Sequence, residues 1–210
     1  MGREALNTPR AALEAGLAAL ALPAPLSVPL LAYLDELEKW NAAYNLTAVR
    51  DPREMVTRHL LDSLVLCPYV NSPLLDVGSG AGLPGIPLAI VRPELRVTLL
   101  DSNGKKARFL RHAVRALKLG NVEVVEARVE DYRPEQLFAA VTSRAFAALG
   151  DFFNLTTHLL AADGQWLAMK GKLDDQETQH LPAGVGIVDT ISLTVPGLAE
   201  ARHLIVAGRA

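Results

Sequence analysis

The run Asp76-Val-Gly78-Ser-Gly80-Ala-Gly82-Leu-Pro-Gly85 carries the strongest chemical signal in the chain. Glycines packed this tightly after an apolar stretch let the backbone turn sharply and approach a ligand closely. A helix starting at their end would point free amides at an electronegative group. Asp101 closes the next apolar run, where the two acceptors of a carboxylate suit the diol of a ribose. Three readings compete. Gly80-x-Gly82-x-x-Gly85 with Asp101 downstream matches the dinucleotide fingerprint. Asp76 favours another ligand, because its charge would repel a pyrophosphate but suit the ammonium and sulfonium of S-adenosylmethionine. A purely structural glycine turn is the third. Further on, Arg128-Val129-Glu130-Asp131 follows a third apolar run, where Glu130 or the neighbouring backbone would meet an adenine; an exposed acidic turn is the plain alternative.

A second pattern is basic. Lys105, Lys106, Arg108, Arg111, Arg115 and Lys118 occur without an intervening acid, and the last four recur at helical spacing on one face. Like charges so placed repel unless an anion is near, and a phosphate backbone would supply one. A solvated face balanced by acids elsewhere explains the same pattern. Lys170, Lys172 and Arg202 would extend the patch, and Tyr44 is a candidate for stacking on a base. Arg144 either positions substrate or donor, or forms a structural ion pair. His59 and Asp62 either face the loop or cap and pair locally, and for His59 the local reading is favoured. With one cysteine and five scattered histidines, no metal site is expected.

These residues need elements to hold them. Residues 1–70 read as helices: one over 10–21, a second opened by a Ser27 cap with Leu30, Leu31, Leu34, Leu37 and Trp40 on one side, and a third from Asp51-Pro52. From Leu74 strands and helices alternate to about residue 170, which predicts a parallel sheet covered on both faces. Strands are expected at 74–78, 96–101, 122–125, 140–143 and 165–169, and a helix over 105–119 closed by Gly120. Ile187–Val195 and His203–Val206 lack a helix between them and predict an antiparallel hairpin. The expected fold is one α/β, Rossmann-like domain of 210 residues: a helical extension over 1–70 on a core over 71–210, its sheet mostly parallel with a C-terminal hairpin. The uncharged stretch 15–34 is broken by Pro23, Pro25 and Pro29, so no membrane helix is expected. The low cysteine content fits a cytoplasmic protein, and nothing demands more than a monomer. A net charge of −2 requires any nucleic-acid contact to use concentrated local charge.

Several strings occur in order: Trp40-Asn-x-x-Tyr44-Asn-Leu-Thr47, Arg58-His-Leu-Leu-Asp62-Ser63, the glycine run, Val91-Arg-Pro93, Leu100-Asp-Ser102, Lys105-Lys-x-Arg-Phe-Leu110, Ser143-Arg-Ala145 and Met169-Lys-Gly171. Together they resemble the glucose-inhibited division protein B family over roughly residues 30–208. The resemblance implies a class I methyltransferase that uses S-adenosylmethionine to methylate guanine N7 of 16S rRNA, in a loop near the decoding centre of the small ribosomal subunit. It also implies donor contacts at Gly78, Leu83, Val129, Glu130 and Arg144, beside Asp76, Gly80 and Asp101. Guanine N7 offers a lone pair and loses no proton, so the reaction asks for positioning rather than a general base. Rival readings are a small-molecule or protein methyltransferase, an NAD-linked oxidoreductase on the same loop, and a non-catalytic RNA-binding module.

Overall fold

The computed structural model describes residues 8–144, 146, 148–171 and 181–210. The chain opens with α1 (Pro9–Ala19), whose Thr8 cap accepts from the Ala11 amide. Helix α2 spans Ser27–Tyr44. Ser27 is its first residue rather than its cap: a short 3₁₀ turn at Ala24–Leu26 leads in, and the Ser27 hydroxyl donates to Glu14 on α1. Asp51 caps α3 (Pro52–Met55) by accepting from the Arg53 amide. The helix widens into a π-helical stretch at Val56–Leu61 and ends in α4 (Asp62–Leu64). Such widened turns shift the side chains that follow and recur at functional sites.

Seven strands form one sheet: β1 (Leu74–Val77), β2 (Val97–Asp101), β3 (Val122–Glu126), β4 (Phe138–Ser143), β5 (Leu160–Lys170), β6 (Val185–Leu193) and β7 (Arg202–Arg209), in the order β3-β2-β1-β4-β5-β7-β6. The first five pair in parallel and β7 is antiparallel to both β5 and β6. The predicted hairpin is therefore present, with its second strand inserted between β5 and β6. Side chains alternate between two cores. Leu74, Leu99, Ala140, Leu167 and Leu204 face α5 (Gly85–Val91), α6 (Gly104–Ala116) and the N-terminal helices. Leu75, Leu100, Val141, Trp166 and Ile205 face Phe152 and Phe153 of α7 (Leu149–Thr156). One residue of register slip would exchange the two sets, so both faces fix the pairing.

Two expectations need correction. Helix α6 ends at Ala116, and the left-handed residue that follows it is Lys118, at φ 55°, not Gly120. Lys118 therefore leaves the helical face on which its spacing placed it. The strand–helix alternation also breaks between β3 and β4, where residues 127–137 contain no helix. The chain is short there and polar, and it leaves β3 as a half-exposed edge beside a cavity of about 580 Å³ lined by Arg96, Glu123, Tyr132 and Gln136. None of the described helices is long and apolar enough to cross a membrane.

Candidate methyl-donor site

The site forms at the C-terminal ends of β1, β2, β3 and β4, where the strand order reverses and parallel sheets open a crevice. Gly78, Gly80 and Gly82 hold φ of 67°, 58° and 88°, the left-handed region that side chains avoid. Most amides of the loop they form are bonded within the fold. The amides of Gly78 and Ser79 donate to Leu100 O, those of Gly82 and Leu83 to Ser79 O, and that of Ile86 to Gly82 O. Gly80 N–H donates to Asp101 Oδ2 at 2.9 Å, and Gly85 N–H to Asp76 Oδ2 at 2.9 Å. A phosphate cradle needs those amides free. Here all of them but the Ala81 amide are bonded inward, which weakens the dinucleotide reading.

Asp76 is fully buried at the end of β1. Its Oδ1 has no hydrogen-bond partner among the described residues. Burial pushes its carboxyl up to about 7, against the pull of the Gly85 amide and the Arg144 guanidinium. An uncompensated buried carboxylate oxygen is costly, and a cationic ligand relieves that cost. Asp101, 5% exposed, accepts Gly80 N–H on one oxygen and Asn103 N–H on the other, at 2.8 Å, with Lys106 Nζ at 3.9 Å. Asn103 in turn caps α6 by accepting from the Lys105 and Lys106 amides. Each Asp101 oxygen keeps a second lone pair for a ribose hydroxyl.

Gly78, Asp101, Lys106, Val129, Glu130 and Phe146 line a cavity of about 320 Å³ beside the loop. Four positions singled out from the sequence thus line one cavity, Gly78, Asp101, Val129 and Glu130. Gly80 is bonded to Asp101, whereas Asp76 is bonded to Gly85 N–H and does not line it. Leu83 packs into the core, 9% exposed, and does not line that cavity. Lys106 lines this cavity beside Asp101 rather than an outer basic face.

Sequence reasoning missed Tyr33. It is fully buried on α2, and its hydroxyl donates to Ala81 O of the glycine loop at 2.6 Å. The signal was available: a tyrosine on an apolar helical face needs a partner for its O–H. We expect Tyr33→Phe to cost about 1–3 kcal/mol of stability by leaving the Ala81 carbonyl unpaired, with a several-fold weaker donor affinity. Thermal melting and calorimetric titration check both.

Arg144 follows β4. Its Nη2 lies 3.1 Å from Asp62 Oδ2 and donates to Arg58 O at 3.2 Å. Arg202 reaches the other oxygen, Nε donating to Asp62 Oδ1 at 2.8 Å. His59, nearly buried, pairs through Nε2 with Thr47 Oγ1 at 2.9 Å, the expected local contact, and burial keeps its ring below the usual histidine range and neutral at pH 7. On α6, Arg111 pairs with Glu126 at 2.9 Å and His112 with Glu36 at 2.6 Å. Arg108 and Arg115 have no ion-pair partner among the described residues and border a groove of about 470 Å³ with Trp40 and His112. Tyr44 stacks on Trp40, ring centres 5.2 Å apart. Lys105 is exposed, Lys170 ends β5, and Lys172 lies outside the described residues. No group of three potential ligands is placed to hold a metal among the described residues.

Residues 28–205 match the family described as GidB, rRNA small subunit methyltransferase G. The chain belongs to this family. It is 59% identical over 183 residues to the ribosomal RNA small subunit methyltransferase G of Ectopseudomonas mendocina, covering 86% of each chain. It is 56% identical over 201 residues to the protein of the same description from Marinobacter nauticus, covering 94% of each. Among solved structures, a glycopeptide N-methyltransferase in complex with S-adenosylmethionine superposes with a TM-score of 0.58 at 12% identity, over 72% of this chain and 87% of the other. At that identity the likeness speaks for the fold, a class I methyltransferase sheet. The membership gives the fold and the enzyme class together.

Proposed function

We propose that this protein transfers the methyl group of S-adenosylmethionine to N7 of a guanine in a 16S rRNA loop near the decoding centre. The observation that carries the donor half is the buried, half-satisfied Asp76 beneath a glycine loop most of whose amides are already bonded. That combination favours a cation over a phosphate. Bound there, the donor supplies an electrophilic methyl on a sulfonium. Asp76 faces its ammonium end and Asp101 takes the ribose hydroxyls. Val129 and Glu130 border the adenine, and Gly78 and Gly80 let the backbone approach.

For the acceptor, a Hoogsteen edge presents N7 beside O6. Arg144 donates to O6 and holds N7 in line with the methyl and sulfur. No proton leaves N7, so no residue acts as general base, and the uncharged His59 stays out of the reaction. Arg108, Arg115 and Lys105 meet rRNA phosphates, while Lys106 and Arg202 stand closer to the site. The protein works as a monomer in the cytoplasm, where small subunits are assembled.

Tritiated S-adenosylmethionine and small subunits from cells lacking this protein test the reading. Label recovered as 7-methylguanosine is the expected result. Donor binding without labelled RNA would move the substrate to proteins or small molecules. The RNA face has its own test. Arg108→Glu with Arg115→Glu should weaken small-subunit binding at least tenfold, lower the salt slope by about 2, and leave donor affinity unchanged. Arg111→Glu is the poorer probe, because it also breaks the pair with Glu126.

A further inference from the structure

Asp62 is 1% exposed, yet it does not touch the glycine loop. Its two oxygens are divided between two arginines from distant parts of the chain, Arg144 after β4 and Arg202 at the start of β7. A lone arginine at a half-open mouth samples many rotamers. A carboxylate buried between two guanidiniums removes that freedom from both and also cancels their mutual repulsion, leaving a net charge of +1.

The geometry around Arg144 adds a direction. Among the described residues, its contacts with Asp62 and with Arg58 O both run through Nη2, which leaves Nε and Nη1 for a guest. The Arg58 carbonyl lies in the π-helical stretch that immediately precedes Asp62, so the widened turn delivers both acceptors to one guanidinium nitrogen. A bond meant only to tie the N-terminal helices to the sheet would not need a second cation. Nor would it need to leave two donors of the first, Nε and Nη1, unengaged by the described residues.

We infer that Asp62 is a positioning residue for methyl transfer, fixing Arg144 so that its Nη1 meets the acceptor base, with Arg202 as the opposing anchor. This rests on the proposed function. It adds a residue that acts only through another, and that property is measurable.

The test is a double-mutant cycle of Asp62→Asn and Arg144→Ala, read in kcat and KM with small subunits. Small-subunit affinity without donor, and Tm, are read alongside. We expect Asp62→Asn to lower kcat at least tenfold, with the donor KM moving less than threefold. Added to Arg144→Ala, it should lower kcat by less than twofold further, and the same non-additivity should appear in small-subunit affinity. Equal losses in both backgrounds would mean that Asp62 acts through stability alone and would overturn the inference, as would a kcat within twofold of wild type. If Asp62→Asn does not fold, Arg202→Gln takes its place. It should lower kcat at least threefold in the native background and not in Arg144→Ala. Wild-type formation of 7-methylguanosine, measured first, separates the two ideas. Its absence removes the proposed function, whereas additive losses in its presence remove only the role of Asp62.

Discussion

Asp76→Asn should make the ligand-free protein more stable at pH 8 while weakening donor binding roughly 30-fold. The folded Asp76 carboxyl is pushed up to about 7 from 3.8, with burial as the main cause. A raised carboxyl favours the folded state below pH 3.8, and this contribution is lost as pH climbs to about 7. At pH 8 the wild type bears the full cost of a buried charge, and the asparagine variant bears none. The gain is reduced because the new amide N–H₂ lacks an acceptor where Oδ1 has no partner. A net stabilisation of about 1–3 kcal/mol is expected, read as a higher Tm at pH 8 that vanishes near pH 4.

Donor affinity should move the other way. Loss of the carboxylate removes a buried charge-assisted contact worth about 2 kcal/mol, or roughly 30-fold in Kd. In the wild type, affinity should fall about tenfold per pH unit below 7 and level off above it, because a cationic ligand selects the ionised form. The variant should show no such slope. Unchanged donor affinity in a folded Asp76→Asn protein would end the assignment of this carboxylate to the donor.

The second large effect is expected at Gly85. An exposed helical glycine replaced by alanine ordinarily gains about 0.5–1 kcal/mol. Gly85 should do the reverse. A Cβ there would sit 2.3 Å from Leu99 Cδ2 and 2.9 Å from Asp76 Oδ2. Leu99 is fully buried within the sheet, and Asp76 accepts the Gly85 amide itself. The added methyl therefore forces a packed side chain aside and displaces the carboxylate on which donor binding depends. Overpacking of this kind costs about 1–3 kcal/mol, and donor affinity should fall at least tenfold. Gly120→Ala is the matched control, since a Cβ there meets nothing within 4 Å. A Gly85→Ala protein with wild-type Tm and donor affinity would show that the close packing is not needed.

Much of this was legible in the residues. The apolar runs gave the sheet because alternation and flanking glycines are local signals, and Asp76, Asp101 and Glu130 fell where strands end. The glycine loop was visible but its chemistry was ambiguous, since G-x-G-x-x-G fits two cofactors. Only the fold shows that its amides bond inward, to Leu100 and Asp101 from the next strand. The basic helix was legible as a stripe, yet its members divide in three dimensions: Lys106 turns to the donor cavity, Arg111 pairs with Glu126, and Lys118 leaves the helix.

What the sequence by itself determined is the class of chemistry: which residue types stand at the ends of which strands, and hence a cofactor-binding α/β enzyme of this family. What the tertiary structure alone decided is the partnership of residues far apart in the chain. Tyr33 reaches the loop at Ala81, and Asp62 lies between Arg144 and Arg202. Local patterning reports which face of an element is buried, because that depends on periods of two and 3.6 residues. It is silent on which buried polar group meets which, because that pairing is set by how separate elements pack.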